Sequence, residues 1–347
     1  MYRVNLFFLF LLAPLLGAAL AVSSFDQATA GLVLPADRLQ PAVEKLHREV
    51  HHLQHALGLV RESLVEQEAQ YAEQQRILQA LAEKSAQHQR LSDDIYEQHI
   101  LARLGAPIRV HRSARVEVKV FELKGLGYRG YIAKVKPFDP AVLRVTYRPG
   151  PGETPSAAVR RTGAIFGVNG GGFYKAPGSG GEIHTLPIGN TMIDGQLVGG
   201  FQPLRGEELF FVGFDDRGRL VGGVFHDRDA LLRTGARQGV SFIPILIRDR
   251  KPLPIPEQWR NQRQPRTIIG EYANGDLIFI VVDGRQADWS SGVTLEDLQI
   301  SLIEFGVIDA YNLDGGGSSV FVFNNEVLNR PSDGRERVMA TSIVVLP

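Results

Sequence analysis

Residues 41–104 consist largely of Gln, Glu, His, Ala and Leu with almost no glycine, and Gly105-Ala-Pro107 then breaks the run. Written as heptads, the a positions are Val43, Val50, Leu57, Leu64, Tyr71 and Leu78, and the d positions are Leu46, Leu53, Val60, Gln67, Gln74 and Leu81. Ten of these twelve are apolar or aromatic, the pattern of a coiled-coil seam. One continuous helix of this length would reach roughly 95 Å, and its single apolar stripe needs a partner. Self-association through 43–81 is the expected solution, with a folded-back hairpin as the alternative. Gln67 and Gln74 weaken the seam, and beyond Leu81 the phase slips, which predicts a bend or stutter near Ser85. His47, His51 and His55 share a face but occupy e, b and f positions, so they read as a solvated polar face and not as a metal site.

Ahead of this helix, residues 6–22 form an apolar run behind Arg3, broken by Pro14, and small residues follow at Ala28 and Ala30. The pattern predicts export, to the periplasm or outside the cell, through a signal peptide cleaved after Ala28-Thr-Ala30 or an uncleaved anchor in a membrane. Residues 1–30 are read as this signal or anchor, 31–40 as a linker and 41–104 as the coiled-coil helix. The 38 basic residues balance the 38 acidic ones, so no basic excess points to nucleic acid. The chain has no cysteine, which excludes disulfides, thiolate catalysis and Cys-based zinc sites.

Residues 107–347, the expected second domain, change to strand and turn signals. Val116-Glu-Val-Lys-Val-Phe121 alternates apolar and charged residues. Gly125-Leu-Gly-Tyr-Arg-Gly130 matches G-x-G-x-x-G, but a strand-like segment follows where a dinucleotide fold needs a helix, so a hairpin turn is expected. Asp194-Gly195, Asp216-Arg-Gly218, Asn274-Gly275 and Asn324-Asn325 signal further hairpins. Helices are expected over 295–305, opened by Thr294 and Asp297 and closed by Gly306, and over 154–161. Prolines at 252, 254, 256 and 265 predict an irregular loop over 250–265. The fold class is therefore α+β, a largely antiparallel or mixed sheet domain with few helices, preceded by the long helix.

Among several glycine-rich corners, Tyr311-Asn-Leu-Asp-Gly-Gly-Gly-Ser-Ser319 is the most informative. Consecutive glycines occur where backbone approaches something closely or adopts positive φ, and their N–H groups can form an anion nest beside Asp314. Alone, the stretch reads equally well as a hairpin with a capping Asp. Asn169-Gly-Gly-Gly172 follows an apolar run at 164–168, Glu182 follows Gly178-Ser-Gly-Gly181, and Asp283-Gly-Arg285 follows another apolar run at 277–282. Polar residues at the ends of buried strands collect on one rim of a sheet. Asp333, in Pro-Ser-Asp-Gly, reads as a turn residue.

Taken in order, Val168-Asn-Gly-Gly-Gly-Phe-Tyr174, Gly181-Glu182, Gly189-Asn190, Pro265-Arg-Thr-Ile-Ile-Gly270, Val282-Asp-Gly-Arg285, Asn312-Leu-Asp-Gly-Gly-Gly-Ser-Ser319 and Asn329-Arg-Pro-Ser-Asp333 resemble the motifs of the phosphodiester glycosidase family. The resemblance implies hydrolysis of a sugar joined through its anomeric carbon to a phosphodiester, giving free sugar and a phosphomonoester. Phosphate is a good leaving group, so the larger demand is to hold its charge and stabilise an oxocarbenium-like centre. Arg266 is expected to grip the phosphate, helped by the N–H groups of Gly315, Gly316 and Gly317. Asp314 and Glu182 are the expected pair for nucleophile or base and for acid, with the assignment between them open. Asn169, Asn190 and Asn312 are candidate binders of sugar hydroxyl or acetamido groups. Gly170, Gly171 and Ser318 belong to the same expected substrate site, and Asp283 and Arg285 support or shape it. No cofactor or metal site is expected, although a divalent cation stays open, since no ligand spacing resembles a loop built for one. Two rival readings are attack at phosphorus and a non-catalytic envelope scaffold that binds glycan and oligomerises through its helix.

Overall fold

The computed structural model describes residues 36–347 apart from 179 and 204–208, together with Pro14, Gly17 and Ala18. The signal or anchor expected over 6–22 lies outside the described residues but for those three. Among the described residues no helix is long and apolar enough to cross a membrane. The chain forms two compact units, the first ending at Gln87 and the second spanning His88–Pro347.

One helix, Ala36–Leu104, starts ahead of Pro41 and is continuous through Ser85, where the slipped heptad phase predicts a bend or stutter. In the first unit every apolar or aromatic residue of the seam, from Val43 to Leu81, is exposed. Gly105 ends the helix: its left-handed φ of 83° lets its N–H donate back to the Leu101 carbonyl at 2.8 Å.

The second unit is α+β, and all its paired strands are antiparallel. An eight-stranded sheet runs in the order Arg109–Arg112, Val116–Gly125, Tyr128–Pro137, Leu277–Val282, Arg266–Tyr272, Val307–Leu313, Ile245–Arg248 and Lys251–Pro252. Two five-stranded sheets include Phe166–Asn169 and Phe210–Asp215, and among the described residues Phe173–Pro177 pairs only with Ile183–Pro187. Side chains alternate between the faces of a strand, so the unbroken apolar run Leu277–Val282 marks a strand covered on both sides. Leu277, Phe279 and Val281 join the core shared with the five-stranded sheets, beside Phe166, Phe210 and Phe321. Ile278, Ile280 and Val282 face the other core, with Leu295, Leu298 and Leu302 of the helix Leu295–Phe305. That helix has the expected caps, with Thr294 Oγ1 accepting from Asp297 N and Gly306 at φ 84°.

Two boundaries differ from the expected ones. The loop at 250–265 contains the short edge strand Lys251–Pro252, paired with Ile247 and Arg248 across a turn whose Asp249 and Arg250 both have positive φ. Proline is tolerated there because an edge strand leaves one row of N–H groups unused. The last turns of the long helix belong to the second unit, although the composition change at Gly105 suggests otherwise. Ile100 is buried in the core on the helix side of the main sheet. Glu97 pairs with Lys119 at 2.7 Å and with the buried Lys134, which also pairs with Asp276. Burial alone would raise the Glu97 pKa, but the two ammonium groups hold it below the ordinary carboxylate value.

Candidate active site

The glycine-rich stretch follows the central strand Val307–Leu313 and is held from behind. Gly316 has φ 60°, in the left-handed region open to glycine, and its N–H donates to Pro265 O at 2.9 Å. A Cβ on Gly317 would collide with the Arg337 guanidinium and the Asp333 carboxylate. Asp314 is fixed through its backbone: Asn169 Nδ2 donates to its carbonyl, and its own N–H donates to Gly170 O at 3.3 Å.

Asp314 lies at the floor of a cleft of about 800 Å³, whose walls are Phe173, Tyr174 and Lys175 on one hairpin and Asp333, Arg335, Glu336, Arg337 and Val338 on the C-terminal loop. Burial pushes the Asp314 pKa up to about 6, against the lowering effects of the Ser318 hydroxyl, the Gly315 N–H and the Arg337 charge. Ser318 Oγ, buried and without a hydrogen bond of ordinary geometry, faces this carboxylate. The other carboxylates of the cleft are already engaged. Asp333 pairs with Arg337 at 2.5 Å, and Glu336 accepts from the Ser156 N–H at 2.9 Å and from its hydroxyl. Among the described residues no three His, Asp or Glu side chains cluster closely enough to hold a metal ion.

The expected site residues divide into a few at the cleft and a larger set behind it. Asp314 and Ser318 line it. Asn169 is fully buried, and its Oδ1 accepts from Thr267 Oγ1 at 2.8 Å and from Val320 N, so its bonding capacity is spent on positioning the Asp314 loop. Gly170 and Gly171 allow close approach to Thr341 and to the Ser241 carbonyl. Asp283 is buried and accepts from Trp289 Nε1, Asn329 Nδ2 and Arg330 N, while Asn329 in turn holds Phe321 N and Ser319 O. Asn312 donates to Ile243 O at 2.7 Å, and Arg285 donates to Gln264 and lies beside Gly316. Asn190 makes two hydrogen bonds with the backbone of Gln202.

Three of these placements are corrections. Arg266 does not line the cleft: its buried guanidinium donates to Gln262 O at 2.8 Å and faces the Trp259 ring, and burial pushes its pKa down to about 10. Glu182 is exposed on the hairpin beyond the cleft and pairs with His184 at 2.9 Å. The expected nest of three glycine N–H groups is largely taken up internally, because that of Gly316 bonds to the Pro265 carbonyl and that of Gly315 faces Asp314. The cleft cations that sequence reading missed are Lys175, Arg335 and Arg337. The signal available for them was the charged run Arg335-Glu-Arg337 beside the last motif, which looks like ordinary solvated surface.

With this geometry in place, the class can be stated: the chain belongs to the phosphodiester glycosidase family, whose profile matches residues 162–346. It is 31% identical over 198 residues to the SPbeta prophage-derived uncharacterized protein YomE of Bacillus subtilis, covering 56% of this chain and 29% of that protein. It is 27% identical over 246 residues to the mouse N-acetylglucosamine-1-phosphodiester alpha-N-acetylglucosaminidase, covering 64% of this chain and 45% of that one. The chain thus spans less than half the length of these two relatives. The zebrafish enzyme of the same name, solved as a catalytic domain auto-inhibited by its pro-peptide, shares the fold with a TM-score of 0.54 at 23% identity, over 70% of this chain and 87% of that one.

Proposed function

We propose that this protein is an exported hydrolase that cleaves the glycosidic bond of a sugar-1-phosphodiester, releasing the free sugar and a phosphomonoester, in the cell envelope or outside the cell. The observation that carries this reading is Asp314, a carboxylate with a raised pKa at the floor of a cleft walled by Lys175, Arg335 and Arg337. Those cations suit the phosphate, and Phe173 and Tyr174, on the same hairpin as Lys175, suit a sugar ring. Protonation of a phosphate leaving group contributes little, so one free carboxylate suffices. Ionised Asp314 either attacks the anomeric carbon, forming a glycosyl ester that water then hydrolyses, or takes the proton of the attacking water; in both cases the C–O bond to phosphate breaks and the phosphomonoester departs past the cleft cations. The names of the vertebrate relatives agree with this substrate class. Export rests on the sequence of residues 6–22. The exposed seam supports self-association through 43–81.

Hydrolysis of a 4-nitrophenyl sugar phosphodiester in water labelled with heavy oxygen tests the bond cleaved. Label in the released sugar is expected. Label in the phosphate would mean attack at phosphorus, and tight binding with no turnover would leave a glycan-binding scaffold.

A further inference from the structure

Beside the Asp314 cleft lies a second one of about 460 Å³, lined by Tyr147, Tyr174, Leu186, Pro187, Ile188 and Gln202 among others. Tyr174 lines both clefts, and its ring is half exposed between them. The two differ in character. Among the described residues the first carries six charged side chains, whereas every described residue lining the second is uncharged. The second cleft is also built in advance. Asn190 holds Gln202 at its rim by donating to its carbonyl and accepting from its N–H, and Asn190 N is itself anchored on Ser241 Oγ at 3.0 Å. Gly189, at φ 68°, packs where a Cβ would press on Ser241. This is a spatial reason for the Gly189-Asn190 motif, which the Asp314 cleft does not use.

We propose that this second cleft is a subsite for a further neutral sugar ring on the glycosyl side, so that the substrate is an oligosaccharide-1-phosphodiester and not a single sugar. The inference rests on the function proposed above. A pyranose presents an apolar C–H face to an aromatic ring and hydroxyls to polar rim groups, which is what Tyr147, Tyr174 and Gln202 offer. The phosphate and the group beyond it are drawn toward Arg335 and Arg337, which stand on the C-terminal loop and not on the Tyr174 hairpin. A sugar seated over Asp314 against Tyr174 therefore has its next residue across that ring, in the uncharged cleft.

The test compares the full-length protein on 4-nitrophenyl phosphodiesters of N-acetylglucosamine and chitobiose, of glucose and maltose, and of the monosaccharides with a lengthened alcohol in place of nitrophenol. For at least one pair, kcat/KM for the disaccharide is expected to exceed that for the monosaccharide about tenfold, and Tyr147→Ala is expected to bring that ratio near one. A variant that merely misfolds lowers both and keeps the ratio. Equal values for mono- and disaccharide, or a gain that follows the alcohol instead, would overturn the subsite while leaving the hydrolase reading intact. If no ester turns over, the hydrolase reading fails, and calorimetry with the free sugar-1-phosphates decides the subsite. Tighter disaccharide binding that Tyr147→Ala abolishes sustains it, and equal or absent binding overturns it.

Discussion

At the scale of single residues, Asp314 is expected to set both the pH dependence and part of the stability of this protein. Its pKa stands at about 6 because protein surrounds it. Since the ionised form does the work, kcat should rise with pH through about 6, and a fall there would instead make Asp314 an acid. The sign for stability is opposite. The native state keeps this proton to higher pH than the unfolded chain, so stability falls as pH rises from about 4 to about 6. Asp314→Asn should therefore lower kcat about 10³-fold yet raise the melting temperature at pH 7, by the equivalent of up to about 3 kcal/mol. Arg337→Gln removes a charge that holds the Asp314 pKa down, so the acid limb of the pH profile should move upward while KM rises. Asp314 was legible through the ordered set of motifs, since its glycine stretch alone reads equally well as a capped hairpin. The supporting roles of Asn169 and Asn190 were not, and that of Asp283 was read only as one of several open roles. Sequence shows that a polar residue ends a buried strand, but not whether its hydrogen bonds go to a ligand or to Thr267, Trp289 and Gln202.

Among the elements, the end of the long helix is the part whose allegiance the sequence conceals. Ile95, Ile100 and the charges between them fit an exposed amphipathic helix as well as a docked one, because periodicity reports a stripe and not what covers it. In the structure, Glu97 supplies a carboxylate to buried Lys134, and its loss leaves that ammonium with Asp276 alone. Glu97→Ala should cost about 3 kcal/mol in denaturant unfolding of the second unit. A chain beginning at Ala106 should be less stable than one beginning at His88 by at least as much. Equal stability of the two would show that the helix end contributes nothing. The Glu97 contribution is complete above the ordinary carboxylate range and is lost as pH falls through its lowered pKa. Hairpins and helix caps, by contrast, were readable residue by residue, since Asn274-Gly275 and Thr294 to Gly306 act through local backbone geometry.

For the whole molecule, the exposed seam and the cleft are separate devices with separate tests. Full-length protein should sediment as a dimer or larger, and Leu53→Asp with Leu57→Asp should return it to monomer without changing turnover. Monomeric wild type at micromolar concentration would remove the coiled coil from this picture. The family was legible from motif order, because seven short segments recurring in sequence constrain a fold far more than any one does. The cleft wall was not, since Lys175, on the strand Phe173–Pro177, and Arg335, on the C-terminal loop, are brought to Asp314 only by the tertiary fold. The most direct measurement is release of free sugar from a sugar-1-phosphodiester panel by the full chain beside Asp314→Asn, with circular dichroism to show that both are folded. The account predicts hydrolysis of at least one member by the wild type and its loss in the variant. Undiminished hydrolysis by folded Asp314→Asn would contradict it.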